Sequence, residues 1–130
     1  MKTSAKIIIG AMAISGLLFV NACKKEAGTG GKAHIEGEVG YETGSTETPV
    51  PNATVEIWYG ETSKPSTAAN NSTMCDMMGE FKFEGLNKGD YYCWATGSIT
   101  DSTGTKAVSG GMAVKIDKKS GDFMADIHVE

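Results

Sequence analysis

The chain has 130 residues, 12 basic and 16 acidic side chains and a formal charge of −4, and every one of its basic residues is lysine. An acidic surface without arginine argues against nucleic-acid binding, which depends on neutralising phosphates with basic groups. The length suits one domain with a modest core.

The N-terminus has lysines at positions 2 and 6, then the apolar run IIIGAMAISGLLFV at residues 7–20. That run is short for a bilayer-spanning helix, which needs about 20 apolar residues. A basic start, a short apolar core and a small residue before a break predict a secretory signal peptide over residues 1–22. The break itself, Leu17-Leu18-Phe19-Val20-Asn21-Ala22-Cys23, resembles the lipobox of bacterial lipoproteins. Apolar Val20 stands three before the cysteine and small Ala22 directly before it, while Asn21 is looser than the pattern. The resemblance implies that Cys23 opens the mature chain and carries acyl groups such as palmitate. Each methylene buried in the bilayer contributes ~0.8 kcal/mol to the anchor. Lys24-Lys25-Glu26 resembles the polar tether of Bacteroidetes lipoproteins, and a lysine rather than an aspartate after the cysteine implies the outer membrane. Cleavage removes two lysines and no acid, moving the charge from −4 to −6.

Residues 23–31 (CKKEAGTGG) are Gly-rich and charged, and predict a flexible tether. From residue 32 to residue 130 the apolar pattern has period two. Ala33, Ile35 and Val39 alternate with His34, Glu36 and Glu38; Ala53, Val55, Ile57 and Tyr59 alternate with Thr54, Glu56 and Trp58. The same alternation recurs around Phe81 and Phe83, around Tyr91, Cys93 and Ala95, around Met112, Val114 and Ile116, and from Phe123 to Val129. Such runs are half-buried strands. Turn formers fill residues 40–51, 60–72, 85–90 and 97–105, and the last tight turn falls at residues 120–122. With a short strand at residues 73–75, about seven strands are predicted, and the fold class is all-β: a seven-stranded antiparallel sandwich.

The middle of the chain is more specific. Ile35-Glu36-Gly37-Glu38-Val39, Pro51-Asn52-Ala53-Thr54-Val55, Asp76-Met77-Met78-Gly79-Glu80-Phe81-Lys82-Phe83 and Gly89-Asp90-Tyr91 occur in that order. This set resembles the carboxypeptidase regulatory-like domain family, a transthyretin-like (prealbumin-like) β-sandwich, over residues 33–96. The resemblance implies a non-catalytic accessory or adhesion module. It also implies a tight hairpin in which Asp76 caps the turn, Gly79 takes a positive φ and Phe81 enters the core. Met77 and Met78 depart from the family, which has small or polar residues at that tip. Cys75 stands where the family usually has threonine, facing inward. Cys93 is inward by its own alternation. An even pair of cysteines in an exported chain is most simply a disulfide. If Cys75 and Cys93 lie on neighbouring strands, they close a loop worth ~3 kcal/mol.

These residues offer material for three chemistries. Met74, Cys75, Met77 and Met78, with His34 or His128, are donors suited to Cu(I). Neighbours on a strand face opposite ways, however, and a disulfide would consume the thiol, so no metal ligand or cofactor is assigned. The two histidines lie in no catalytic motif, and neither mature cysteine has a basic sequence neighbour that would lower its pKa, so no enzyme is predicted. Trp58, Tyr92 and Trp94 stand on the outward phase of their strands. On a shared sheet they would form an exposed aromatic patch able to bind a glycan, a peptide or a partner protein. Asp101-Ser102-Thr103 resembles the O-glycosylation acceptor of Bacteroidetes. The expectation is a lipid-anchored structural or protein-interaction module of the cell envelope, with carbohydrate or peptide binding and copper binding as alternatives.

Overall fold

A computed structural model describes residues 26–130, so the expected signal peptide and Cys23 lie outside the described residues. These form nine strands: β1 (Thr29–Thr43), β2 (Thr46–Pro49), β3 (Thr54–Tyr59), β4 (Asn71–Met74), β5 (Glu80–Leu86), β6 (Gly89–Asp101), β7 (Gly104–Ile116), β8 (Ser120–Met124) and β9 (Ile127–Val129). They make two sheets packed as a sandwich. One runs β4-β3-β6-β7 and is antiparallel throughout. The other is built around the long strand β1, with β5 and β2 on one side and β8 and β9 on the other.

The alternation in the sequence becomes the two faces of each strand. Ile35 and Val39 of β1, Val55 and Ile57 of β3, Phe81 and Phe83 of β5, and Tyr91 and Cys93 of β6 all point between the sheets and are buried. Burying an aliphatic or aromatic side chain of this size contributes about 1.5–3 kcal/mol. Tyr91 carries a polar handle into the core. Its hydroxyl donates to the Asn87 carbonyl at 2.6 Å and accepts from the Gly28 N–H at 2.9 Å. Tyr59 meets the Tyr91 ring edge-on, centroids 5.8 Å apart.

The fold departs from the sequence expectation in three places. There are nine strands instead of seven, because β1 and β2 form a hairpin inside an expected loop and the expected last strand divides into β8 and β9. The sandwich is not purely antiparallel: β8 and β9 both run parallel to β1. Period-two alternation shows which face is buried, not which way a neighbour runs. Finally, β1 begins at Thr29, inside the expected tether. The Gly28 N–H bonds to Tyr91, so this stretch is part of the domain.

The two sheets meet at one end. Ser109 of β7 and Glu130, just past β9, exchange two backbone hydrogen bonds of 3.1 Å. This ties the last strand to both sheets.

Candidate functional site

The strands place Trp58, Tyr92 and Trp94 on one outer face of the four-stranded sheet. Trp58 of β3 pairs with Tyr92 of β6, and Glu56 of β3 pairs with Trp94. On the far side, Tyr92 pairs with Ala113 and Trp94 with Gly111 of β7. Gly111 is the floor. A Cβ there would lie 2.7 Å from the Tyr92 hydroxyl and 2.8 Å from Trp94 Cε3, so both rings lean over a position that only glycine leaves open. Tyr92 and Trp94 are half-buried.

Trp58 corrects the expectation of an exposed ring: it is only 3% exposed. The loop of residues 60–70 folds back over it. The indole Nε1 donates to the Thr67 carbonyl at 3.0 Å, and the Lys64 ammonium lies 5.6 Å from the Trp58 ring centroid. The same ammonium lies 5.4 Å from the Trp94 centroid. A single lysine therefore caps both indoles, a contact worth about 0.5–1 kcal/mol at an exposed site. The face combines aromatic rings, a carboxylate at Glu56 and an ammonium at Lys64. Such a set can stack on the C–H face of a sugar and hydrogen-bond its hydroxyls.

Sequence reasoning missed Lys64 and Gly111. The signal for Gly111 was present, since a Gly-Gly pair inside a strand marks a close approach of something to the backbone. Lys64 had no local signal, because only the path of its loop brings it to the rings.

The sulfur-rich run does not converge. Met74, Met77 and Met78 are 64%, 72% and 59% exposed, while Cys75 faces the core at 3%. Burial, helped by the adjacent Asp76 carboxylate, pushes the Cys75 thiol up from 9.0 to about 11, so the thiolate a soft metal needs is disfavoured. His34 lies on β1 and His128 pairs with Gly40, six residues further along the same strand, which is about 20 Å of strand.

What the run does build is a turn. Asp76 Oδ1 accepts from the Met78 and Glu80 N–H groups at 2.9 and 3.0 Å, and Gly79 has φ +76°. Phe81 enters the core.

The disulfide expectation is also corrected: Cys75 and Cys93 are both free and buried. Strand β3 runs between them. The Cys75 N–H bonds to Ala53 on one edge of β3, while Cys93 pairs with Ile57 on the other. Two strand spacings alone separate the cysteines by about 9.5 Å, and a bridge needs Cα atoms within about 7 Å. Burial alone pushes the Cys93 thiol up to about 12.

A cleft of about 710 Å³ opens elsewhere, beside Lys32, Asn87, Lys88 and Lys119. No aromatic ring lines it, so it lacks the stacking surface that the outer face provides.

No family model matches the chain, and no curated protein matches it. Among solved structures the chain is similar to a proposed carbohydrate binding protein (PA1324) from Pseudomonas aeruginosa. The identity is 14% and the TM-score 0.51, over 82% of this chain and 93% of that one. A 9R-lipoxygenase from Cyanothece is 16% identical over 98% of this chain and 24% of that one, at a TM-score of 0.35. At 14% identity the first likeness carries the fold: this chain is an all-β, two-sheet sandwich.

Proposed function

We propose that this protein is a non-catalytic binding module of the cell envelope that takes carbohydrate on the outer face of its four-stranded sheet. The observation behind it is the cluster of Tyr92 and Trp94 leaning over Gly111, with Glu56 alongside and Lys64 above. Tyr92 and Trp94 supply the stacking surface, while Glu56 and Lys64 supply the polar contacts that fix orientation. Trp58, held by Thr67, positions the loop that carries Lys64. The structural neighbour is itself proposed to bind carbohydrate, which is in line with this reading; a shared fold alone would not carry it.

The test is a glycan array probed with the wild-type protein and with Trp94→Ala. Removing a central aromatic anchor should weaken binding about tenfold or more. Binding that Trp94→Ala leaves unchanged, or no glycan bound by the wild type, would remove the reading.

The anchor is part of the same proposal: lipid on Cys23 holds the module at the outer membrane, on a sandwich of the carboxypeptidase regulatory-like type. Palmitate fed to the producing cells should label the wild type and not Cys23→Ser; equal labelling of both would contradict it.

A structural or protein-interaction role is the second reading. The exposed Met74, Met77 and Met78 favour it, since adaptable methionines suit partner surfaces.

A further inference from the structure

At the opposite side of the sandwich, three strands bring metal-ligating side chains together. His128 of β9 and Gly40 of β1 are register partners, and Glu42 of β1 is the partner of Glu47 of β2. Residues 40 and 42 share one face of β1, so His128, Glu42 and Glu47 all project from the same outer face. Their ligand atoms lie within 4.8 Å of one another.

Two observations set this trio apart from an ordinary charged surface. First, Glu42 and Glu47 are like charges directly opposite each other in an antiparallel pair, an arrangement that is unfavourable when nothing compensates it. Second, Glu47 leans across β1 over the bare backbone of Gly40 toward the imidazole. A Cβ at position 40 would overlap the Glu47 carboxylate, and Glu47 Oε1 lies 3.8 Å from His128 Nδ1. Among the described residues no lysine is ion-paired with Glu42 or Glu47: Lys106, which lines the same cleft, is turned to the Tyr41 ring and hydroxyl, at 5.3 Å and 3.5 Å.

We propose that Glu42, Glu47 and His128 form a site for a divalent transition metal, with Zn²⁺ as the ion whose preferences they meet. One imidazole and two carboxylates are a zinc-type donor set that leaves a coordination position for water. Three protein ligands are few for the six to eight oxygens of Ca²⁺, and an imidazole is a poorer partner than oxygen for either Ca²⁺ or Mg²⁺. The site is remote from the aromatic face and independent of sugar binding.

The test is calorimetric titration of the whole chain with ZnCl₂, and separately with CaCl₂ and MgCl₂, with melting temperature followed in parallel. The wild type should bind one Zn²⁺ and melt higher when saturated. Glu47→Gln and His128→Ala should each weaken zinc binding about tenfold or more and abolish the zinc-dependent rise. Without metal, Glu47→Gln should melt within about 3 °C of the wild type or above it, because it relieves the Glu42–Glu47 repulsion. Glu42→Gln is the replacement variant should either of these fail to fold. Zinc binding that survives both substitutions, calcium or magnesium binding as tight as zinc, or no zinc binding by the wild type would overturn the proposal.

Discussion

The turn at Asp76–Gly79 and the loop of residues 60–70 both flank the four-stranded sheet but are built from different kinds of residue. They do opposite things. The turn closes on itself: the Asp76 carboxylate takes two backbone N–H groups, and the thioethers at its tip are left to solvent. The loop closes on something else, with its backbone and one lysine seated on Trp58 and Trp94. A segment rich in metal-binding atoms turns out to serve geometry, and a segment of plain loop residues completes the candidate site. Side-chain chemistry marks what a residue could do; the path of the chain decides what it touches.

The turn should be the more fragile of the two. Gly79→Ala forces a side chain onto φ +76° and puts its Cβ 2.8 Å from the Val39 carbonyl. We expect a loss of about 2–3 kcal/mol in urea unfolding. Asp76→Ala strands two backbone donors and should cost about 1–2 kcal/mol by the same measurement. The loop offers the contrast. Lys64→Ala should change stability by less than about 1 kcal/mol, yet shift tryptophan fluorescence and alter glycan affinity. At the small end, Met77→Ser and Met78→Ser should stay within about 0.5 kcal/mol of wild type and leave glycan binding unchanged. A large stability loss from Lys64→Ala, or a binding loss from the methionine variants, would break the distinction.

The core adds a pH dependence. The Cys75 and Cys93 thiols are raised to about 11 and about 12 from an ordinary 9.0, so the folded state holds protons that the unfolded state releases. Their contribution is fully present below about pH 9 and is lost as pH rises through 11 to 12. Burial raises the Tyr91 phenol as well, which acts in the same direction. Melting temperature should therefore fall steeply above about pH 9, and the Cys75→Ala/Cys93→Ala double variant, less stable at pH 7, should lose part of that slope.

Much of the fold was legible because burial on strands is a local signal. Residues such as Ile35, Ile57 and Phe83 announce their faces by alternation alone, and the Asp-x-x-Gly spacing marks the turn. The direction of β8 and β9 was not legible, since parallel pairing with β1 depends on where the chain returns after β7. The free cysteines had the same cause: their inward phase was readable, but not the strand lying between them. The site was half legible. Trp58, Tyr92 and Trp94 share a face as their phase predicts, while the cover over Trp58 depends on a loop whose course no periodicity encodes.

The chain has two tryptophans, so its ¹H–¹⁵N spectrum has two indole signals, one of them from the Trp58 N–H held by Thr67. The most direct test of the aromatic face is to follow both while titrating the oligosaccharide that binds best on the array. The proposed site requires the Trp94 signal to move in step with occupancy, and the Trp58 signal to follow as Lys64 turns from the indoles to the sugar. Saturable binding that leaves both indole signals in place would put the sugar elsewhere and contradict the central claim.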